Sequence, residues 1–204
     1  MELSYSLPMA ESRIFVLFWL CAASACGQHV SCRTNYYPVT GSDLREIHQS
    51  FRMARPWRET SGHDGFTVWN VNWRFNTFYN GSVCRVSGFS TTTTIAITLP
   101  RWVMPTNATD SLKAEWTRYI KALGQHEYGH AQLALAAAGE IQKQIRGVGD
   151  DSSCDSLKQR VGSLCEGIIR KYKDFDAAYD ERTNHGLNDG ALLGRRERPR
   201  PPPE

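Results

Sequence analysis

The sequence predicts an α+β fold: a small antiparallel β-sheet packed against two long antiparallel helices. Three observations carry that expectation. Residues 69–76 and 89–99 alternate apolar and polar side chains with a period of two, the pattern of strands with one buried face. Residues 110–146, and again 154–179, repeat apolar residues at three- and four-residue spacing, the pattern of helices. The seven residues between those stretches are short enough to bring the second helix back beside the first. With 204 residues, 41% hydrophobic and 22% charged, the chain has room for one domain with a proper core.

The two ends lie outside that domain. Residues 14–20 form an apolar run that follows Arg13 and closes in Ala23-Ser24-Ala25, so residues 1–25 read as a secretory signal peptide. Residues 26–35 are expected to be a polar leader, residues 36–192 the folded domain, and residues 193–204, rich in Arg and Pro, a disordered tail. The expected location is therefore secreted or periplasmic. Cys26 also stands where a bacterial lipoprotein carries its lipid, which would be the only link to a membrane. A net charge of +3, with the basic residues scattered, argues against a nucleic-acid partner.

Removing the signal leaves Cys26, Cys32, Cys84, Cys154 and Cys165, so a lipid on Cys26 would free the other four for two disulfides. Cys154 and Cys165 share one predicted helix and would lie roughly 16 Å apart at 1.5 Å per residue, too far to bridge each other. They are expected to bridge outward, to Cys84 and Cys32.

Within the domain, residues 36–40 are a short strand candidate, confined by Pro38 to an edge or a strand start. Ser42 or Asp43 caps a helix of about ten residues whose core face is Leu44, Ile47 and Phe51, and Arg55-Pro56 ends it. His63-Asp64-Gly65 reads as a solvated turn. Trp69, Val71, Trp73 and Phe75 then share one strand face, and Asn80-Gly81 is a favoured hairpin dipeptide. The return strand changes parity at Gly88, which predicts a bulge there. Asp110 or Ser111 is expected to cap the first long helix, and Leu157, Val161, Leu164, Ile168, Tyr172 and Phe175 form the apolar stripe of the second.

The middle of the first long helix carries the chemistry. His126-Glu127-Tyr128-Gly129-His130 reads H-E-x-x-H. Residues four apart share one helix face, so the two imidazoles can aim at a single zinc ion. Glu127 can then reach water at the metal as a general base without ligating it. Catalytic zinc takes three protein ligands, and the extended metzincin motif is excluded because Leu133 and Ala136 stand where it needs Gly and His. Glu140 lies roughly 15 Å along the same helix from His130, too far to share an ion. The candidates left downstream are Glu166, Asp180, Glu181 and His185.

Five ordered blocks carry a resemblance. They are Tyr36-Tyr37-Pro38-Val39-Thr40-Gly41-Ser42, Gly65-Phe66-Thr67-Val68-Trp69-Asn70-Val71, Ile97-Thr98-Leu99-Pro100-Arg101-Trp102, His126-Glu127-x-Gly129-His130 and Tyr179-Asp180-x-x-Thr183-x-His185-Gly186. Over residues 36–192 the chain resembles a bacterial family of unknown function described as secreted zinc-dependent proteases. That resemblance implies secretion, zinc as cofactor and a peptide or protein substrate, and its last block singles out His185 as third metal ligand. The expected site is then His126, His130 and His185 on zinc with Glu127 as base. Tyr179 or Tyr128 would polarise the oxyanion, and Asp180 would orient a ligand histidine. A zinc amidase acting on the cell wall would use the same residues, and a non-enzymatic binding protein could retain a structural zinc.

Overall fold

The computed structural model describes residues 27–57 and 63–194, ordered as β1 (Gln28–Val39), α1 (Leu44–Ala54), β2 (Phe66–Tyr79), β3 (Cys84–Trp102), α2 (Asp110–Arg146) and α3 (Cys154–Thr183), with a final 3-10 turn at Leu187–Asp189. The fold is α+β, as the alternation and the helical spacing predict. The expected signal peptide and Cys26 lie outside the described residues, as does the expected tail from residue 195 onward.

The sheet departs from expectation in two ways. It is mixed, in the order β1-β3-β2, because β1 runs parallel to β3 while β2 runs antiparallel to it. Only the β2–β3 hairpin has a local signal in its turn residues. A parallel neighbour is reached by a long connection, here through α1 and β2, and leaves no short-range mark. The first strand is also longer than expected, starting at Gln28 and not near Tyr36, so it takes in residues read as leader. Most of its side chains are exposed and it has no apolar alternation over residues 28–35, but ladder hydrogen bonds to β3 do not require one.

β2 and β3 behave as read. Trp69 and Val71 are buried, Trp73 and Phe75 half-buried, and on β3 Thr91, Thr93, Ile95, Ile97 and Leu99 all point into the core. The register slips beside Gly88, where Asn76 faces Gly88 but Thr77 faces Val86, so Ser87 is the extra residue of the bulge. The hairpin turn is closed by the Asn80 side chain, which accepts from Ser82 N at 3.0 Å and Val83 N at 2.9 Å.

The helices cover one face of the sheet. Asp43 caps α1 by accepting from Glu46 N, and Ile47 and Phe51 are fully buried. α2 is capped by Thr109, one residue before the expected Asp110, and runs 37 residues. Its Ala134, Ala137 and Ala138 are completely buried, small side chains that let neighbouring elements approach closely. α3 extends four residues past Tyr179 to Thr183, where Asn184 ends it in a left-handed cap.

A disulfide joins Cys84 to Cys154 with 5.1 Å between Cα atoms, one of the two expected outward bridges. The other is not formed: Cys32 and Cys165 are both free thiols. No helix among the described residues is long and apolar enough to cross a membrane.

Candidate metal centre

The helix period does what the sequence implies at residues 126–130. His126 and His130 lie one turn apart on the buried face of α2, only 4% and 6% exposed. Opposite them α3 carries Asp176 and Asp180, also one turn apart. The two i,i+4 pairs face each other across the helix–helix contact. His130 Nε2 lies 3.3 Å from His126 Nε2, and Asp180 Oδ1 lies 3.2 Å from His126 Nε2 and 3.1 Å from His130 Nε2. Among the described residues these three form the group of donor atoms close enough to share a metal ion.

The spacing fits such an ion. Ligands at about 2.0–2.1 Å in a tetrahedral zinc site stand about 3.3 Å from one another, close to all three edges of this triangle. Two imidazole nitrogens and one carboxylate oxygen are also a donor set that zinc accepts, and three donors leave a fourth position open. The electrostatics run the same way. Burial would depress the His130 imidazole, but its hydrogen bonds to Asp176 and Asp180 outweigh that and push its pKa up to about 9. Burial would raise Asp180, and the hydrogen bonds from His126 and His130 instead hold its carboxyl far below the usual carboxylate range. The centre is a place where positive charge is stabilised.

Each histidine has a partner on its other nitrogen. His130 Nδ1 lies 2.8 Å from Asp176 Oδ1, which also accepts from Trp69 Nε1 at 3.1 Å. His126 Nδ1 lies 3.4 Å from Thr183 Oγ1. Tyr179, expected at the oxyanion, stacks its ring on His126 at 5.0 Å between centroids and points its hydroxyl at His126 O, 3.4 Å away. That ring occupies the space over Gly129, where a Cβ would come within 2.6 Å of its ζ carbon. Gly129 therefore makes room for the ring that backs His126, which offsets the helix-propensity cost of about 1 kcal/mol for a glycine in mid-helix.

Glu127 is 3% exposed and points from α2 to β2. Its Oε2 accepts from Thr67 Oγ1 at 2.7 Å. Burial raises the Glu127 pKa, with the Thr67 hydrogen bond and the two histidines opposing. Gly65 packs against the same carboxyl group, and a Cβ there would come within 2.9 Å of its Cδ and Cγ.

The segment read as a solvated turn is instead tied down beside this carboxyl. Trp57 Nε1 donates to His63 O at 3.2 Å, Tyr37 OH to Asp64 O at 2.7 Å, and Tyr119 OH to Asp64 Oδ2 at 2.8 Å. Arg55 adds an ion pair to Asp64 Oδ1. The fixed His63 ring stacks on His185 at 3.5 Å between centroids. Burial and the neighbouring His185 lower the His63 pKa. His185, expected as third metal ligand, is not in the converging group. Its Nδ1 lies 3.3 Å from Asp180 Oδ1, and it reaches that place through left-handed backbone at both Asn184 and His185.

The structure thus brings together His126, Glu127 and His130 as the motif implies, and puts Asp180 where His185 was expected. Asp176, Thr183, Thr67 and His63 are further members of the cluster. Asp176 had one legible signal, its i,i+4 spacing to Asp180, which matches that of the two histidines. The family described as bacterial protein of unknown function (DUF922) matches residues 34–186. No curated protein and no solved structure matches the chain.

Proposed function

The chain belongs to that bacterial family of proteins of unknown function, and from that premise we propose that it is a secreted zinc-dependent hydrolase of peptide bonds. His126, His130 and Asp180 would hold the metal, and Glu127 would act as general base. The observation that carries the reading is the triangle of donor atoms with Glu127 beside it. A purely structural site needs a fourth protein ligand and has no use for a buried carboxyl next to the ligands.

When bound, zinc supplies the Lewis acidity that makes water a nucleophile near neutral pH. The chain supplies the rest. Thr67 holds Glu127 Oε2, so the carboxyl group cannot swing away from the position its helix turn gives it. Burial raises its pKa and with it its strength as a base, so Glu127 takes a proton from the attacking water and returns it to the leaving amine. Gly65 leaves no side chain on that side of the carboxyl. His63 and His185 stand next to Asp180 and can offer N–H groups to a substrate carbonyl.

A peptide substrate is favoured by the strand that passes the site. β3 is paired on both sides, so it cannot take an added strand, and β2 is paired on one side only. Thr67 places the start of β2 directly beside Glu127, with Phe66 and Val68 exposed on its outer face. An extended peptide adding to that edge at residues 66–68 would lie beside Glu127. On this reading α2 is an active-site helix of the zincin kind and α3 its antiparallel partner. The pairs Lys171–Glu140, Asp176–His130 and Thr183–His126 step in opposite senses along the two helices. Export through the leading 25 residues, with Cys26 as a lipid anchor, agrees with a disulfide between Cys84 and Cys154.

The test is the metal content and peptidase activity of the purified chain beside Glu127→Gln. One zinc per chain in both proteins is expected, with hydrolysis of an unfolded protein substrate reduced at least about 100-fold in the variant. Full activity in Glu127→Gln, or a wild-type chain that takes up no zinc, would overturn the proposal.

A further inference from the structure

A ligand histidine binds metal through one ring nitrogen, and the partner of its other nitrogen fixes both the tautomer and the ring plane. At His126 that partner is a hydroxyl, Thr183 Oγ1, at 3.4 Å. At His130 it is a carboxylate, Asp176 Oδ1, at 2.8 Å. The two histidines are therefore held unequally, and the charged, shorter contact is on His130.

Asp176 is itself held. Trp69 Nε1 donates to the same Oδ1 at 3.1 Å, from the buried face of β2. Lys173, one turn before Asp176 on α3, lies over the Trp69 ring at 3.4 Å from its centroid and donates to Trp69 O at 3.3 Å. The indole is gripped by its face and its backbone while its N–H is aimed at the carboxylate. This chain of contacts runs from β2 through α3 to the metal-facing imidazole on α2.

We propose that Asp176, aimed by Trp69, is the positioning residue that keeps the proton of His130 on Nδ1 and turns its Nε2 towards the metal. The assignment rests on the reading of His130 as a metal ligand. Without the carboxylate, the ring can rotate or place its proton on Nε2, and either change removes a donor from the triangle. Asp180 cannot substitute, because it faces Nε2 and not Nδ1.

Two measurements decide it. The first is zinc affinity, by competition with a chromophoric chelator, for the wild-type chain, Asp176→Ala, Asp176→Asn and Trp69→Phe. Loss of an outer partner of this kind typically costs 10–100-fold in metal affinity, and that loss is expected for Asp176→Ala. Asp176→Asn keeps an acceptor and should lose less. Trp69→Phe keeps the ring for Lys173 but removes the N–H, and should cost a few-fold. The second is the imidazole 15N spectrum of the metal-free protein, recorded at rising pH until the His130 ring is neutral. The His130 Nδ1 signal should be that of a protonated nitrogen in the wild-type chain and should lose that character in Asp176→Ala.

Zinc affinity within about twofold of wild type in Asp176→Ala, or an unchanged His130 15N pattern, would overturn the proposal. Trp69→Phe and Asp176→Asn decide the matter if Asp176→Ala fails to fold. Failure of the metal-centre reading would show separately, as no zinc uptake by the wild-type chain, and the 15N pattern would still report on Asp176.

Discussion

Three imidazoles surround Asp180 Oδ1: His126 and His130 through Nε2, and His185 through Nδ1. Only the first two come from the H-E-x-x-H turn, where helix geometry turns a four-residue spacing into a shared face. That part of the site was legible in the sequence. Choosing between Asp180 and His185 was not, because it depends on where α3 stops. Helix to Thr183 keeps Asp180 in phase with the histidines, and His185 falls in the left-handed turn beyond. The two assignments separate by mutation. Asp180→Asn keeps the shape but loses the charged ligand atom, and should weaken zinc binding by more than the about 10–100-fold that outer partners cost. His185→Ala should change zinc affinity by less than about threefold while lowering peptide turnover. Titration with zinc and a competing chelator reads both, and the opposite ranking would restore His185 as the ligand.

At the scale of elements, the hairpin and the two long helices follow from periodicity and turn residues, whereas β1 is legible only over its last residues, where Pro38 marks an edge strand. Its pairing with β3 covers all twelve of its residues, from Gln28 opposite Thr91 to Val39 opposite Trp102, yet most of its side chains face water. An edge strand held by backbone bonds leaves little apolar pattern to read. The disulfide was half legible. Helix rise excluded a Cys154–Cys165 bridge, but only the meeting of β3 with the start of α3 selects Cys84 for Cys154. That meeting is reinforced by backbone hydrogen bonds between Cys84 and Asp151 at 2.7 and 2.9 Å. Closing a loop across 70 residues contributes about 4 kcal/mol by the chain-entropy argument and usually somewhat less in practice. Cys84→Ser with Cys154→Ser should therefore lower unfolding stability by about 2–4 kcal/mol, measured by denaturant titration under oxidising conditions. A loss below about 1 kcal/mol would show that the bridge adds little to contacts already made. The remaining buried thiol, Cys165, is pushed up to about 11 by burial and the nearby Glu166, which keeps it protonated and inert at neutral pH.

For the molecule as a whole, the candidate metal centre is where α2, α3 and β2 meet, so an ion there would tie the three together. Ligand that binds only the folded state adds about 2.7 kcal/mol at 100 times its dissociation constant. In a domain of this size that is on the order of 5–10 °C in melting temperature. Chelation should lower the melting temperature by that amount and added zinc should restore it. A melting temperature indifferent to both would count against a metal bound in the folded chain. What lies within reach of local geometry can be read from the residues alone: the strand alternation, the hairpin, the helix faces, and His126, Glu127 and His130 on one turn. Only the packing of distant elements sets the parallel partner of the sheet, the approach of Asp180 to the two histidines, the Asp176–Trp69 contact behind His130, and the pinning of residues 63–65 beside Glu127. The reason is physical. A helix or strand period fixes which residues share a face, but the partner that meets that face is set by the relative phase and position of elements far apart in the chain, and no local pattern encodes it.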